Sequence, residues 1–182
     1  MKEINQYYTL KRGEQVFIRE AKSSDSAELL ETIREYVFTS KYLLVSADDL
    51  EQTVADQREW IRSLNDNPNS LLLIAEHEGK IIGNIDLTGS MEFDENPTGM
   101  LSMGILKAYQ GKGLGSILLK LVLDWARANH QLKVLCLQVF QGNQSAINLY
   151  LKAGFTVFGQ QGTTTSLDAT DSSNNTIMTL NL

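Results

Sequence analysis

A chain of 182 residues with 42% apolar and 21% charged residues is large enough for an independent core and is globular in composition, neither disordered nor membrane-like. Its net charge of −6 argues against a general nucleic-acid binder and leans towards cationic partners. One cysteine, Cys136, excludes an intramolecular disulfide, and Met1–Gln6 has no apolar signal core. A reducing, cytoplasmic setting without a membrane partner is therefore expected.

Tyr7–Lys11 and Gln15–Glu20 flank Arg12-Gly13-Glu14 as a short hairpin. Ser23–Ser26 offers helix caps, and Ala27, Leu30, Ile33, Val37 and Phe38 recur at helical spacing to about Phe38. After a loop over Thr39–Ser46, Ser46 or Asp48 is expected to cap a second helix running to Leu64, with Leu50, Val54, Trp60, Ile61 and Leu64 inward. Asn65–Ser70 ends it. Leu71–Glu76 and Ile81–Thr88 form a hairpin about Glu78-Gly79-Lys80, and Gly89–Thr98 is a polar connection. Met100–Leu106 reads as a strand, Ser116–His130 as an amphipathic helix and Leu132–Phe140 as a strand covered on both faces, with Cys136 inert inside it. Ser145–Ala153 is a short helix stopped by Gly154, Phe155–Gln160 a strand, Gly162–Asn175 a polar loop and Thr176–Leu182 a last strand. No repeat or linker interrupts residues 1–182, so one α/β domain is expected. Hairpins mixed with helical crossovers imply a mixed sheet.

The densest chemistry lies in Tyr109-Gln110-Gly111-Lys112-Gly113-Leu114-Gly115-Ser116, between a strand and a helix. Three glycines at alternate positions admit positive φ and keep side chains away from a ligand. A bend of this kind opening a helix leaves N–H groups free at the positive end of the helix dipole, which suits a phosphate-bearing ligand. A plain strand-to-helix turn is the competing reading. The spacing is not that of a dinucleotide fold, and no Gly-Lys-Ser or Gly-Lys-Thr ends the loop to place magnesium, which disfavours an ATP module.

A second cluster follows at Asn143-Gln144-Ser145-Ala146-Ile147-Asn148-Leu149-Tyr150-Leu151-Lys152-Ala153-Gly154-Phe155. The two together resemble the GCN5-related N-acetyltransferases. Gln110, Gly113 and Gly115 match one signature of that family. Asn143, Ala146, Leu149, Tyr150, Lys152, Gly154 and Phe155 match the other, and Ile18-Arg19-Glu20-Ala21 with Asp25 is similar to its entry. The resemblance implies a single-domain α/β acyl-CoA N-acyltransferase fold: a mixed, mostly antiparallel sheet flanked by helices, with a splayed central strand pair. It implies acetyl-CoA as co-substrate and an amine acceptor, and it admits a homodimer; no His/Cys cluster has metal-ligand spacing, so no metal is expected.

By the same resemblance, the CoA diphosphate sits on amides of Gly111, Lys112, Gly113, Leu114, Gly115 and Ser116, beside Gln110. Lys112 either adds charge there or is a solvated loop lysine. The pantetheine arm pairs with Ile105, Leu106 and Lys107, where a bulge frees an N–H near Ile105 for the developing oxyanion. Asn143 bonds the same arm or caps its helix. Tyr150, whose phenol (pKa about 10) stays protonated at neutral pH, is the expected proton donor to the leaving sulfur. The amine also needs a base. Glu92, Asp94, Glu95 and Asp86 are the carboxylates in reach, and Glu92 is the one chosen. His77 and His130 read as surface and structural. Small, polar residues from Gly162 to Asn175 depart from the charged or aromatic segment of many relatives, which leaves the acceptor and any dimer through that edge open. A non-catalytic acyl-CoA sensor of the same fold is the alternative function.

Overall fold

The computed structural model describes residues 4–40, 42, 51–90, 97–162 and 174–182. Strands β1 (Asn5–Thr9) and β2 (Gln15–Glu20) form the opening hairpin, and a 3-10 turn at Ser23–Asp25 leads into α1 (Ser26–Thr39). Then come α2 (Val54–Asp66), β3 (Leu71–His77), β4 (Lys80–Gly89) and β5 (Thr98–Ile105). A 3-10 turn at Lys107–Tyr109 precedes α3 (Leu114–Ala128), and β6 (Val134–Phe140), α4 (Gln144–Lys152), β7 (Thr156–Gly162) and β8 (Asn174–Asn181) complete the order.

One eight-stranded sheet runs β1-β2-β3-β4-β5-β6-β8-β7. Among the described residues, only β5 and β6 pair in parallel; every other neighbour is antiparallel. β3 is apolar from Leu71 to Ala75 because both its faces are covered there. Leu71, Leu73 and Ala75 join the core beneath α3, which supplies Leu114, Leu118, Leu119, Val122, Leu123 and Ala126. Leu72 and Ile74 turn the other way, to Leu29 of α1 and Ile61 and Leu64 of α2.

Several expected boundaries shift for local reasons. α2 begins at Val54 because Thr53 caps it reciprocally with Asp56: Asp56 N donates to Thr53 Oγ1 (3.2 Å), and Thr53 N donates to Asp56 Oδ2 (2.8 Å). The start expected at Ser46 or Asp48, and Leu50, lie outside the described residues. Val54 is exposed, and Gln57 takes the inward position beside Ile61 and Leu64. Phe38 and Ala27 are exposed rather than inward on α1. β6 alternates: Leu135, Leu137 and Val139 are buried while Cys136 is only half-buried, so one of its faces is incompletely covered.

Two polar devices hold the ends in place. The Arg19 guanidinium grips both Asp25 oxygens (2.7 and 2.9 Å) and Glu76 Oε1 (2.5 Å), tying β2, β3 and the entry to α1 by charge-assisted forks. At the other end, the Asn-rich stretch expected to stop α2 bonds main chain throughout. Asn67 Nδ2 donates to Gly89 O (2.9 Å), Asn129 Nδ2 to Pro68 O (3.0 Å), and Gly89 N to Ser70 Oγ (3.0 Å).

A Cβ on Gly89 would run into the Asn69 main chain, which is held by these bonds. Gly89→Ala is expected to lower stability by about 1–3 kcal/mol through overpacking, read as a lower urea midpoint at unchanged slope. A midpoint equal to that of the parent chain contradicts the packing described.

Candidate active site

Strand β5 is paired with β4 in unbroken register from Gly99 to Ile105, yet with β6 only from Thr98 to Leu101, opposite Val134 to Leu137. Over the same stretch β6 stays with β8 as far as Phe140. Beyond Leu101 and Leu137 the two parallel strands therefore part, forming the splayed pair that was expected. The expected bulge near Ile105 is absent from the β4–β5 ladder. The register shift of this region lies one strand over, between β3 and β4 at Ala75/Glu76.

Leu106 N–H donates to Ile82 O (3.0 Å). The alternation of an antiparallel ladder then turns the main-chain groups of Ser102 and Gly104 to β4, and those of Met103 and Ile105 into the opening. An N–H at Ile105 thus faces the gap by register alone. The Ile105 carbonyl is taken by Gln110 Nε2 (2.8 Å), so Gln110 ties the glycine loop to the lip of β5. Leu106 is half-buried there, and Lys107 is exposed at the start of the 3-10 turn.

In the loop, Gly111 (φ 71°) and Gly113 (φ 96°) are left-handed, and Gly113 is the N-cap of α3. Among the described residues, no main-chain acceptor meets the amides of residues 111–115, whereas Ser116 and Ile117 both donate to Gly113 O (3.1 and 3.2 Å). The Ser116 amide, expected among the diphosphate-binding amides, is instead used within the first turn of α3. Gly115 has neither a positive φ nor a close neighbour; a Cβ there would meet Leu149, Ile105 and Met103 at 3.4–3.5 Å, an ordinary contact.

Lys112 is neither solvated nor turned to the amides. Its ammonium donates to Glu14 Oε1 (2.6 Å) and lies 5.1 Å from the centre of the Tyr109 ring, while Lys11 N–H donates to Lys112 O (3.0 Å). The β1–β2 hairpin thus braces the loop from behind. The Lys112 hydrogen bond also holds the Glu14 carboxyl below the usual carboxylate range. His77 joins this brace, its ring edge-on to Tyr109 (5.6 Å) and its Nδ1 2.7 Å from Gln15 O.

From the far lip, α4 brings Asn143 and Tyr150. Asn143 Oδ1 accepts from Ala146 N (3.1 Å), the expected cap. Tyr150 is buried edge-on against Phe155, with ring centres 5.7 Å apart. Burial, and then the charge of Asp86, push its hydroxyl up to about 12, so it stays protonated throughout the neutral range.

Asp86, one of the carboxylates considered as a base, lies on β4 within this region. It pairs with Ser102 and is buried, which pushes its carboxyl up to about 7. Asn84 and Gly104 are the next pair on that face. The Tyr36 ring from α1 covers Gly104, where a Cβ would fall inside it, and Tyr36 Oη donates to Asn84 Oδ1 (3.0 Å). Burial first, and Asp86 next, raise the Tyr36 hydroxyl as well. A legible signal existed: Asn84 and Asp86 alternate with Ile85 and Leu87 in an otherwise apolar strand, which places two polar groups on one covered face. Glu92, with Asp94 and Glu95, lies outside the described residues. The strands flanking it end at Gly89 and Thr98, away from the opening.

Across the gap Tyr42 packs on Phe140, ring centres 5.9 Å apart. No cluster of three His, Cys, Asp or Glu among the described residues fits a metal. A hollow of about 400 Å³ between β1 and α3, lined by Tyr8, Ser116, Ile117, Lys120 and Leu121, contains none of Tyr36, Asp86 or Tyr150.

Residues 30–155 match the acetyltransferase (GNAT) family model. The chain is similar to the acetyltransferase of the GNAT family from Streptococcus pneumoniae, with a TM-score of 0.83 and 28% identity over 92% of this chain and 99% of that one. Its fold is also similar to that of yncA from Salmonella typhimurium, solved with its cofactor acetyl-CoA (TM-score 0.76, 24% identity, 92% of this chain and 94% of that one). A protein of Bacillus subtilis subsp. natto named Probable spermine N(1)-acetyltransferase is 34% identical over 88 residues, 46% of this chain and 58% of that protein. The match thus spans little more than half of that curated relative.

Asp86 has a folded pKa above that of an unfolded chain, so the folded state holds its proton more tightly. That stabilisation is complete below the unfolded value and is lost as pH rises through about 7. Asp86→Asn is therefore expected to melt higher than the parent chain at pH 8, by ~2–4 °C per kcal/mol gained, and to lose the parent's fall in Tm between pH 5 and 8. A variant that melts lower at pH 8 contradicts the burial argument.

Proposed function

The chain belongs to the acetyltransferase (GNAT) family, and we propose that it transfers the acetyl group of acetyl-CoA to a primary amine of a small molecule or peptide, by direct attack in a ternary complex. The parting of β5 from β6 beside a buried, protonated Tyr150 carries this reading. The fold shared with an acetyl-CoA-bound structure and the amine named for the curated relative support it.

Here the amides of residues 111–115 hold the diphosphate, and Asn143 and the edge of β5 at Ile105, Leu106 and Lys107 hold the pantetheine arm. A peptide-like arm laid along β5 replaces the missing strand, taking main-chain groups that β6 leaves behind. The thioester carbonyl then meets the Ile105 N–H, where oxyanion charge develops. The amine nitrogen bonds to the carbonyl carbon and the tetrahedral intermediate collapses with loss of the C–S bond. The Tyr150 hydroxyl gives the departing sulfur its proton. Attack is direct rather than through Cys136, which is half-buried with its thiol pKa raised by burial. Lys112 serves the loop through Glu14 rather than through the ligand.

With acetyl-CoA and a panel of primary amines, Tyr150→Phe is expected to lower kcat about 10²- to 10³-fold, within the usual range for a lost general acid. Acetyl-CoA affinity, measured by calorimetry, should stay within a few-fold. Tight binding of acetyl-CoA by the parent chain without turnover of any amine identifies a sensor instead of an enzyme.

A further inference from the structure

We infer that Lys11, in the turn between β1 and β2, supplies the positive charge that meets the diphosphate of acetyl-CoA beside the glycine loop. This rests on the acetyl-transfer reading above and deepens it by naming a binding residue that lies in neither signature stretch.

The chain carries a net charge of −6 and its co-substrate is an anion, so attraction has to come from cations close to the site. Main-chain amides at a helix start carry only partial charge, and a full charge beside them strengthens the grip on phosphate. The loop has a lysine of its own, but Lys112 is committed: its ammonium donates to Glu14 Oε1 (2.6 Å) and lies 5.1 Å from the centre of the Tyr109 ring. Arg12 is turned to the same carboxylate, since its charge also bears on Glu14. Glu14 thus draws two of the three cations gathered here. Lys11 is the third.

Hairpin and loop are fastened to each other in a way that aims Lys11. Leu10 N–H donates to Glu14 O (2.8 Å) and Gly13 N–H to Leu10 O (2.9 Å), with Gly13 left-handed (φ 93°), which closes the turn. Lys11 N–H donates to Lys112 O (3.0 Å), the residue just before Gly113. From that anchor the Lys11 side chain runs alongside Gly113. A Cβ on this glycine would meet Lys11 Cγ at 3.5 Å, Cε at 3.6 Å and Cδ at 3.8 Å. Contact along the stem as far as Cε sets the ammonium one bond further on, at the N-cap of α3. There the amides of residues 111–115 meet no main-chain acceptor among the described residues. The apolar stem rests on the glycine while the exposed charged head stays in water, as long cationic side chains do. The turn and the loop are described throughout, and among the described residues Lys11 enters no ion pair.

The test measures binding of coenzyme A and of dephospho-coenzyme A, which keeps the diphosphate and lacks the 3′-phosphate, by calorimetry at low and high salt. Lys11→Met keeps the stem and removes the charge. It is expected to raise Kd for both ligands about 5- to 50-fold at low salt, with the gap closing above ~0.5 M salt as screening takes over. Lys11→Arg should restore most of the affinity. In turnover of an accepted amine, KM for acetyl-CoA should rise with Kd while kcat holds. An unchanged Kd overturns the assignment. So does a loss seen with coenzyme A alone, which marks a 3′-phosphate contact, or a loss that ignores salt and is not rescued by arginine, which marks a packing role. Each of these leaves acetyl transfer standing. Lys11-dependent binding by a chain that acetylates no amine overturns the transfer reading alone, and a parent chain that binds neither ligand overturns both.

Discussion

Past Leu101, β5 has one strand for a neighbour where the middle of a sheet supplies two. β4 continues to pair with it up to Ile105, but β6 follows β8 instead. A row of main-chain donors and acceptors is thereby turned into a gap, and such groups need partners. The arrangement of the site depends on this parting. The glycine loop hangs from the end of β5, α4 leans in from the end of β6, and α1 lays Tyr36 across Gly104 on the near lip. A chain with alternating amides would match this row, and among the described residues the amides of 111–115 likewise meet no main-chain acceptor.

The gap also explains how two titratable groups come to lie within each other's field. Tyr150 belongs to the α4 side of the sheet and Asp86 to the α1 side, and a closed sheet would screen one from the other. The charge of Asp86 bears on Tyr36 on its own side and, through the opening, on Tyr150. Buried groups of this kind cost stability when ionised, and sites where environment separates an acid from a base are where such costs concentrate.

Much of this was legible in the sequence because it is local. The glycine pattern foretold left-handed residues at 111 and 113, Asn143 foretold a cap, and the opening and Gly79 hairpins fell where turn residues stood. What was missed depends on contacts between distant segments. Thr53 competes as a cap inside a stretch whose periodicity continues past it. Lys112 looks like a loop lysine until Glu14, from the far end of the chain, is folded against it. The opening needs no bulge in β5, since a divergence between two ladders leaves no mark on either strand's own register. Asp86 reads as one carboxylate among several until Tyr36 covers its face, and Glu92, chosen for a region able to attract an ammonium group, lies outside the described residues.

The most direct measurement is a crystal structure with bound coenzyme A. The account predicts the diphosphate oxygens within hydrogen-bond distance of amides between residues 111 and 115, the pantetheine arm bonded along the lip of β5, and the sulfur within reach of Tyr150 Oη. A cofactor seated elsewhere, as in the hollow beside Tyr8 and Lys120, or a sulfur remote from that hydroxyl, would contradict it.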